Sequence, residues 1–281
     1  MVKVNHNFYT YHLTQEVTSL GKIQKVIIVL LFTFGVGVLV YPLAHNIYAW
    51  NEQTATVSKY RNEIGSMADE KRQQLIDVMN RYNPWASKEE RNKQTKKYPN
   101  TINAMPVLGT LTIPKIKVDL PIYEGTSDRQ LNKGVGLLKG TDMINGGKGK
   151  HSVLTAHRGL PGARLFTDLP KLKIGDKFYL QTPAKLMTYK VDQIKIIKPS
   201  QINSLKPVIN QDYMTLMTCT PYMLNTHRLL VRGHRIVNDV QTPPKVKSPI
   251  WGYVLGLIAV ALASLFAAYR FWKNSRGGPG Q

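Results

Sequence analysis

The sequence predicts a mainly β domain held between two membrane-spanning helices. Eight short segments rich in β-branched and aromatic residues lie between residues 108 and 237, separated by Pro and Gly. Strands of this length and spacing are typical of a closed barrel or a sandwich. Two uncharged apolar runs of 19 residues, 26–44 and 250–268, lie near the ends of the chain.

The eight predicted strands follow the period-2 alternation of a half-buried sheet. They cover residues 108–113, 120–123, 135–138, 152–156, 177–181, 186–197, 213–218 and 228–237. A short helix is expected over 164–172, between the fourth and fifth strands. A longer helix is expected over 47–82, where apolar residues recur at steps of three and four, with a break near Gly65.

Each apolar run would be about 28 Å long as a helix, close to the roughly 30 Å hydrocarbon core of a bilayer. Basic residues flank both runs on the side of the chain end, at Lys22, Lys25, Arg270, Lys273 and Arg276. Short basic flanks stay cytoplasmic, so both termini are expected inside and residues 45–249 outside. A cleaved signal peptide is the alternative for the first run, but more than twenty residues precede it.

These observations predict seven segments. They are a cytoplasmic tail (1–25), a transmembrane helix (26–44), a helical region with a polar stretch after it (45–107), the β domain (108–240), a Pro-containing linker (241–249), a second transmembrane helix (250–268) and a cytoplasmic tail (269–281).

The composition limits the classes of function. The 281 residues include 38 Lys and Arg against 17 Asp and Glu, giving a net charge of +21. One cysteine excludes an intramolecular disulfide framework and a cysteine-rich metal site, and no cofactor or metal is predicted. The chain has no recognition-helix, RNP-like or zinc-finger pattern, so we expect no nucleic acid partner. A basic exterior domain is instead suited to anionic wall polymers or phospholipid headgroups.

Three residues near predicted strand ends carry the chemistry. Cys219, the only thiol, closes the strand-like run that begins at Tyr213, His157 ends the run from His151, and Arg228 opens the last strand. A thiol, an imidazole and a guanidinium are the groups that acyl transfer through a thioester requires.

The chemistry of each group predicts its role. A thiolate at Cys219 would be the nucleophile, stabilised by a His157 imidazolium that also serves as general acid and base. An arginine cannot act as a base at neutral pH but donates well to a developing oxyanion. Besides Arg228, three other arginines could fill this role: Arg158, Arg232 and Arg235. Strand alternation puts Arg232 on the same face as Arg228, whereas His227 and His234 are expected to be structural.

Local sequence resembles one family. Thr215-Leu216-Met217-Thr218-Cys219 matches the T-L-x-T-C signature of sortases, and Thr155-Ala156-His157-Arg158-Gly159 is similar to the sortase histidine motif. The run from Cys219 to Arg235 is similar to the pilus-building, class C branch, and the resemblance covers residues 108–237. It implies an eight-stranded sortase-type closed β-barrel and selects Arg228 as the oxyanion donor.

The resemblance also implies an activity and a location. Sortases cut an L-P-x-T-G sorting signal between Thr and Gly, hold the product as a thioester on the cysteine, and pass it to an amine. Class C members use a pilin lysine as that amine and polymerise pili on Gram-positive bacteria. The expected partners are therefore pilins and surface proteins with such signals, at the plasma membrane, with the catalytic domain outside.

Class C sortases carry an N-terminal lid with an Asp-Pro-aromatic motif that blocks the active site. The matching tripeptide here is Asn83-Pro84-Trp85, in which Asn replaces the acid. Three other functions stay open: a housekeeping sortase that anchors proteins to peptidoglycan, a non-catalytic membrane-tethered binding module, and a cysteine protease that releases peptide to water.

Overall fold

The computed structural model describes residues 6–81, 107–236, 242–248 and 250–276, with some side chains of the terminal helices left aside. The chain divides into two compact units. One comprises Met1–Ala44 together with Gly252–Gln281, and the other comprises His45–Trp251.

The second unit contains a closed eight-stranded barrel, so the prediction of a barrel is confirmed. Its strands are β1 (Gly109–Ile113), β2 (Val118–Glu124), β3 (Val135–Leu137), β4 (Lys150–Thr155), β5 (Lys177–Gln181), β6 (Leu186–Ile197), β7 (Asp212–Thr220) and β8 (His227–Ile236). Around the barrel the order is β1-β2-β3-β4-β7-β8-β6-β5. All eight predicted strands are present, with ends shifted by a few residues.

Alternation along the strands separates an inner from an outer face. Met214 and Leu216 of β7 lie in the main apolar core, as do Leu229 and Val231 of β8. Their neighbours Met217 and Leu230 belong to a smaller apolar cluster on the other face. Successive side chains of a strand point to opposite faces, so odd-numbered residues of β7 and even-numbered residues of β8 lie outside the barrel.

The helical region contains the predicted break. Helix α1 (His6–Gly65) ends at Gly65, and α2 (Asp69–Arg81) begins after three intervening residues. Val57, Tyr60 and Ile64 near the end of α1 are buried, and Tyr60 and Ile64 pack with Val107 and with Tyr123 of β2. Arg61 anchors this contact with bonds of 3.0 and 2.8 Å to the two carboxylate oxygens of Asp119 on β2.

The other helices in the described part of the second unit are short. Helix α3 spans Asp128–Leu131, and 3₁₀ turns cover Pro114–Ile116, Leu169–Lys171 and Ile202–Leu205. The predicted helix over 164–172 is therefore wrong except at its last turn. Leu165 adopts a left-handed φ of 36°, which interrupts a right-handed helix at its start.

The first unit contains the two apolar runs in helical form. Apolar parts of α1 and of α4 (Ile250–Arg276) are each long enough to cross a membrane by length and composition. Their large apolar side chains are exposed, for example Leu31, Phe34 and Leu265. Two such helices are compatible with membrane anchoring.

Candidate active site

Cys219 and Arg228 are direct partners in the antiparallel pairing of β7 with β8. The β7 strand extends through Thr220, so Cys219 is its penultimate residue. Directly opposed residues of an antiparallel pair have Cβ atoms about 4.5–5.5 Å apart and lie on the same face. The thiol and the guanidinium therefore belong to one surface, the outer face of the barrel.

His157 follows β4, which lies on the other side of β7. The parallel register pairs Thr155 with Met217. It continues beyond the strand, because the Ala156 N–H donates to the Met217 carbonyl at 3.3 Å and the Thr218 hydroxyl donates to the Ala156 carbonyl at 2.8 Å. Extended by two residues, this register places His157, just beyond the end of β4, beside Cys219. The backbone therefore brings all three predicted site residues into one row, formed by the end of β4, by β7 and by β8.

The three side chains in this row are half-buried, whereas Thr218, the residue before Cys219 on β7, is buried and hydrogen-bonded. Half-burial leaves a thiol open to an incoming peptide while part of its surroundings is already free of water. Thr218 was not predicted as a site residue. Its inward position in the T-L-M-T-C run was the available signal, because a buried hydroxyl needs a partner.

Arg228 is held by the loop between β7 and β8. One terminal nitrogen donates to the Asn225 carbonyl at 3.0 Å and to the His227 carbonyl at 3.1 Å. Among the described residues these are the hydrogen bonds of this guanidinium, which carries five N–H donors in total. It can therefore donate further hydrogen bonds to a carbonyl oxygen placed beside Cys219.

The structure separates Arg232 from this row. Its guanidinium makes a bidentate ion pair with Asp192, at 3.0 and 3.1 Å, and lies 4.0 Å from the centre of the Tyr213 ring. It lies four positions after Arg228, about 13 Å along β8. An arginine committed in this way is poorly placed to bind a substrate at Cys219.

The other predicted rivals have different surroundings. Arg235 lies 5.7 Å from the ring of Tyr189, in the barrel. Arg158 donates to the Thr220 hydroxyl at 2.9 Å, which makes it a second cation beside the row.

The two histidines expected to be structural also have neighbours. His227 lies 2.9 Å from the Thr226 hydroxyl, and His234 lies 3.7 Å from Asp192.

The loop after Cys219 exposes consecutive apolar side chains, Tyr222, Met223 and Leu224.

Within the ranges that the structure describes, no group of three or more His, Cys, Asp or Glu could hold a metal ion. The absence of a metal and of a cofactor stays a prediction. The predicted lid residues Asn83, Pro84 and Trp85 lie outside the described residues.

Comparison with known proteins identifies the family. A model of the sortase domain matches residues 111–236. The structure of sortase C-1 from Streptococcus pneumoniae aligns with a TM-score of 0.58 and 42% identity, covering 65% of this chain and 98% of that one. The pilus-related sortase C of Group B Streptococcus aligns with a TM-score of 0.57 and 37% identity, covering 64% and 97%.

A sequence relative, sortase A of Streptococcus agalactiae serotype III, is 32% identical over 119 residues, which cover 41% of this chain and 48% of the relative. The chain thus spans about half of the length of this relative. It belongs to the sortase family, and its structural neighbours are class C pilus sortases. The sortase domain and its homologues indicate a cysteine transpeptidase.

Proposed function

We propose that this chain is a pilus-assembly sortase that cleaves an LPXTG-type sorting signal between Thr and Gly and joins the Thr carbonyl to a pilin lysine. The observation that carries the proposal is the row formed by Cys219 on β7, Arg228 opposite it on β8, and His157 just beyond the end of β4. Similarity to the pilus-related sortase C of Group B Streptococcus supports the choice of a pilin substrate.

The first half-reaction forms the thioester. The Cys219 thiolate attacks the Thr carbonyl carbon, and Arg228 donates hydrogen bonds to the oxyanion that develops. The C–N bond to Gly then breaks, and the leaving amine takes the proton held by the His157 imidazolium. The products are a thioester on Cys219, a neutral His157 and a released peptide beginning with Gly.

The second half-reaction transfers the acyl group. A neutral lysine amine attacks the thioester carbonyl, again with Arg228 donating to the oxyanion. His157 takes a proton from the attacking nitrogen, and collapse of the intermediate breaks the C–S bond and regenerates the thiolate. The result is an isopeptide bond, and the enzyme returns to its starting protonation state.

The proposed cellular arrangement follows from the two apolar helices. Both termini are cytoplasmic, the barrel over 108–240 lies outside the plasma membrane of a Gram-positive bacterium, and residues 26–44 and 250–268 span the bilayer. Residues 45–107 form the helical and lid region, and 241–249 form the linker. The basic exterior, with its excess of Lys and Arg, is suited to anionic cell-wall polymers.

The lid belongs to the same proposal. Asn83, Pro84 and Trp85 would cover Cys219 until a substrate arrives. Without an acid at position 83 the closed state relies mainly on burial of Trp85, because an Asn amide makes a weaker hydrogen bond than a carboxylate.

The test is to incubate the purified full chain in nanodiscs with candidate pilins and to search by mass spectrometry for a lysine isopeptide. We expect pilin polymers linked through a Thr carbonyl and a Lys amine. Three outcomes contradict the proposal: transfer only to a peptidoglycan precursor indicates a housekeeping sortase, hydrolysis that added amine does not divert indicates a protease, and capture without cleavage indicates a binding module.

A further inference from the structure

A loop that contains none of the catalytic residues contacts the outer face of the barrel that carries the row of His157, Cys219 and Arg228. The loop between β6 and β7, residues 198–211, reaches this face at two adjacent positions. The Leu205 side chain is buried in the small apolar cluster with Val153 and Leu230. The Lys206 carbonyl lies 3.1 Å from Nδ1 of His151. The middle of the β6–β7 loop is therefore fixed to the sheet by the Leu205 side chain and by the hydrogen bond at Lys206, and its last residue, Gln211, accepts from the Gly149 N–H at 2.7 Å.

His151 is almost completely buried, with 1% of its surface exposed, and both of its ring nitrogens have partners. Nε2 lies 2.7 Å from the Thr215 hydroxyl, and the ring packs edge-on against Tyr213 with centroids 5.7 Å apart. A carbonyl only accepts, so Nδ1 must donate to Lys206, and in a neutral ring Nε2 then accepts from the Thr215 hydroxyl. Burial lowers the pKa of His151, which favours this neutral form.

This arrangement explains a histidine at a buried position. An aliphatic residue of similar volume would leave the Lys206 carbonyl and the Thr215 hydroxyl without these bonds. A buried polar group that loses its partner is costly, so the imidazole is the group that lets this end of the β6–β7 loop close on the sheet.

The anchored loop lies next to the catalytic row. Leu205 packs in a cluster to which Met217 and Leu230 also belong. These residues precede Cys219 and follow Arg228 by two positions on the same strand faces, about 7 Å along the strands. An extended peptide that runs from the row over Met217 and Leu230 would therefore pass beside the β6–β7 loop. The loop also exposes the apolar side chains of Ile202, Val208 and Ile209, which suit a peptide with apolar residues.

We propose that His151 is a positioning residue for substrate binding: through the Lys206 carbonyl it holds the β6–β7 loop at the place where that loop contacts the peptide bound beside Cys219. His151 touches neither substrate nor reacting atoms. The inference rests on the proposed transpeptidase function, because it takes a peptide as the occupant of the row.

Substitutions can separate the two hydrogen bonds of the ring. In His151→Asn the amide nitrogen can occupy the position of Nδ1 and still donate to the Lys206 carbonyl. In His151→Gln the longer side chain reaches the position of Nε2, so it can contact Thr215 but not Lys206. His151→Leu fills the space and makes neither bond. The Asn and Gln variants are thus a matched pair in which each keeps one bond: Asn keeps the bond to the loop, and Gln keeps the bond to Thr215.

The experiment measures cleavage of a sorting-signal peptide by the full chain in nanodiscs. We expect His151→Gln and His151→Leu to raise KM about tenfold, the usual effect of one lost buried hydrogen bond, with kcat changed less than about threefold. His151→Asn should restore most of the wild-type KM. A merely structural role predicts the same KM in the Asn and Gln variants or an equal loss of kcat in both, and either result overturns the proposal.

Hydrogen–deuterium exchange of the same proteins provides a readout without turnover. Amides of residues 198–211 should exchange faster in the Gln and Leu variants than in the wild type, and the Asn variant should resemble the wild type. Equal exchange in all four proteins overturns the role of His151. A wild-type chain that cleaves no peptide but shows this exchange pattern contradicts the proposed function and leaves the anchoring of the loop supported.

Discussion

Arg228 lies directly opposite Cys219 on the neighbouring strand, whereas Arg232, four residues further along, is bound to Asp192. Both arginines belong to the outer face of β8, so alternation alone did not distinguish them. The ion pair distinguishes them, because it binds the Arg232 guanidinium to Asp192 and leaves the Arg228 guanidinium beside the thiol. This difference gives the first prediction.

Arg228→Lys should reduce turnover about 10²–10³-fold with little loss of stability, because lysine keeps the charge but loses the planar donor fork. The matched variant Arg232→Lys should lower the melting temperature, since it breaks a bidentate pair with Asp192, and should leave kcat nearly unchanged. Peptide-cleavage kinetics and thermal unfolding of both variants measure these effects. An equal or greater loss of kcat in Arg232→Lys would transfer the oxyanion role to that residue.

Acid should destabilise the barrel through His151. Burial lowers its pKa, the hydrogen bond to the Lys206 carbonyl raises it, nearby Arg232 lowers it, and Asp142 and Asp192 raise it, with a net lowering. As the pH falls, the unfolded chain, in which the histidine pKa is about 6.5, takes up a proton at this residue before the folded chain does. Stability is thus fully present above about pH 6.5 and is lost as the pH falls towards the lower, folded pKa.

The measurement is the difference in melting temperature between about pH 7.5 and about pH 5.5, a window above most carboxylate titrations. His151→Asn cannot take up this proton, so its melting temperature should fall less than that of the wild type. An identical fall in both proteins would show that His151 does not titrate with folding.

Topology gives the third prediction. Both termini should be cytoplasmic, because basic residues flank each apolar run on the side of the chain end. Single cysteines at Asn5 and Ser275, introduced into a Cys219→Ala background, should resist a membrane-impermeant thiol reagent in intact cells. A cysteine within the barrel region, for example at exposed Lys190, serves as the labelled control. Labelling at Ser275 alone would mean that residues 250–268 do not span the membrane.

The lid prediction concerns Trp85. If the tripeptide covers Cys219, closure depends mainly on burial of the indole, worth about 1.5–3 kcal/mol, which corresponds to roughly a 10- to 100-fold bias towards the closed state. Trp85→Ala should therefore speed alkylation of Cys219 by a small thiol reagent. Asn83→Ala should change this rate much less. An unchanged rate in Trp85→Ala would show that the tripeptide does not gate the site.

The strands were predictable because their apolar residues alternate, as Met214 and Leu216 do in β7, and this period is a local property of the sequence. Closure of the barrel could not be predicted from the alternation of residues alone. It depends on parallel pairing of β4 with β7, strands about sixty residues apart, which no local pattern encodes. The resemblance, not the alternation, supplied that expectation.

Within the site, the three catalytic candidates were predictable because unusual residue types stand at strand ends. His151 was not singled out, although His151 and His157 are six residues apart and so share a face of one alternating strand. Its role depends on Lys206 and Thr215, which come from distant parts of the sequence. The helix expected over 164–172 was wrong because apolar periodicity does not reveal the left-handed conformation at Leu165.

The central claim is that a thioester on Cys219 carries the acyl group to a pilin lysine. Intact-protein mass spectrometry of the full chain with purified pilin, in wild-type and Cys219→Ala forms, tests it most directly. The Ala variant should fold normally, because a half-buried sulfur contributes little packing. We predict an acyl adduct on Cys219 and lysine-linked pilin polymers with the wild type, and neither with Cys219→Ala. Covalent polymers formed by the Ala variant would contradict the thioester mechanism.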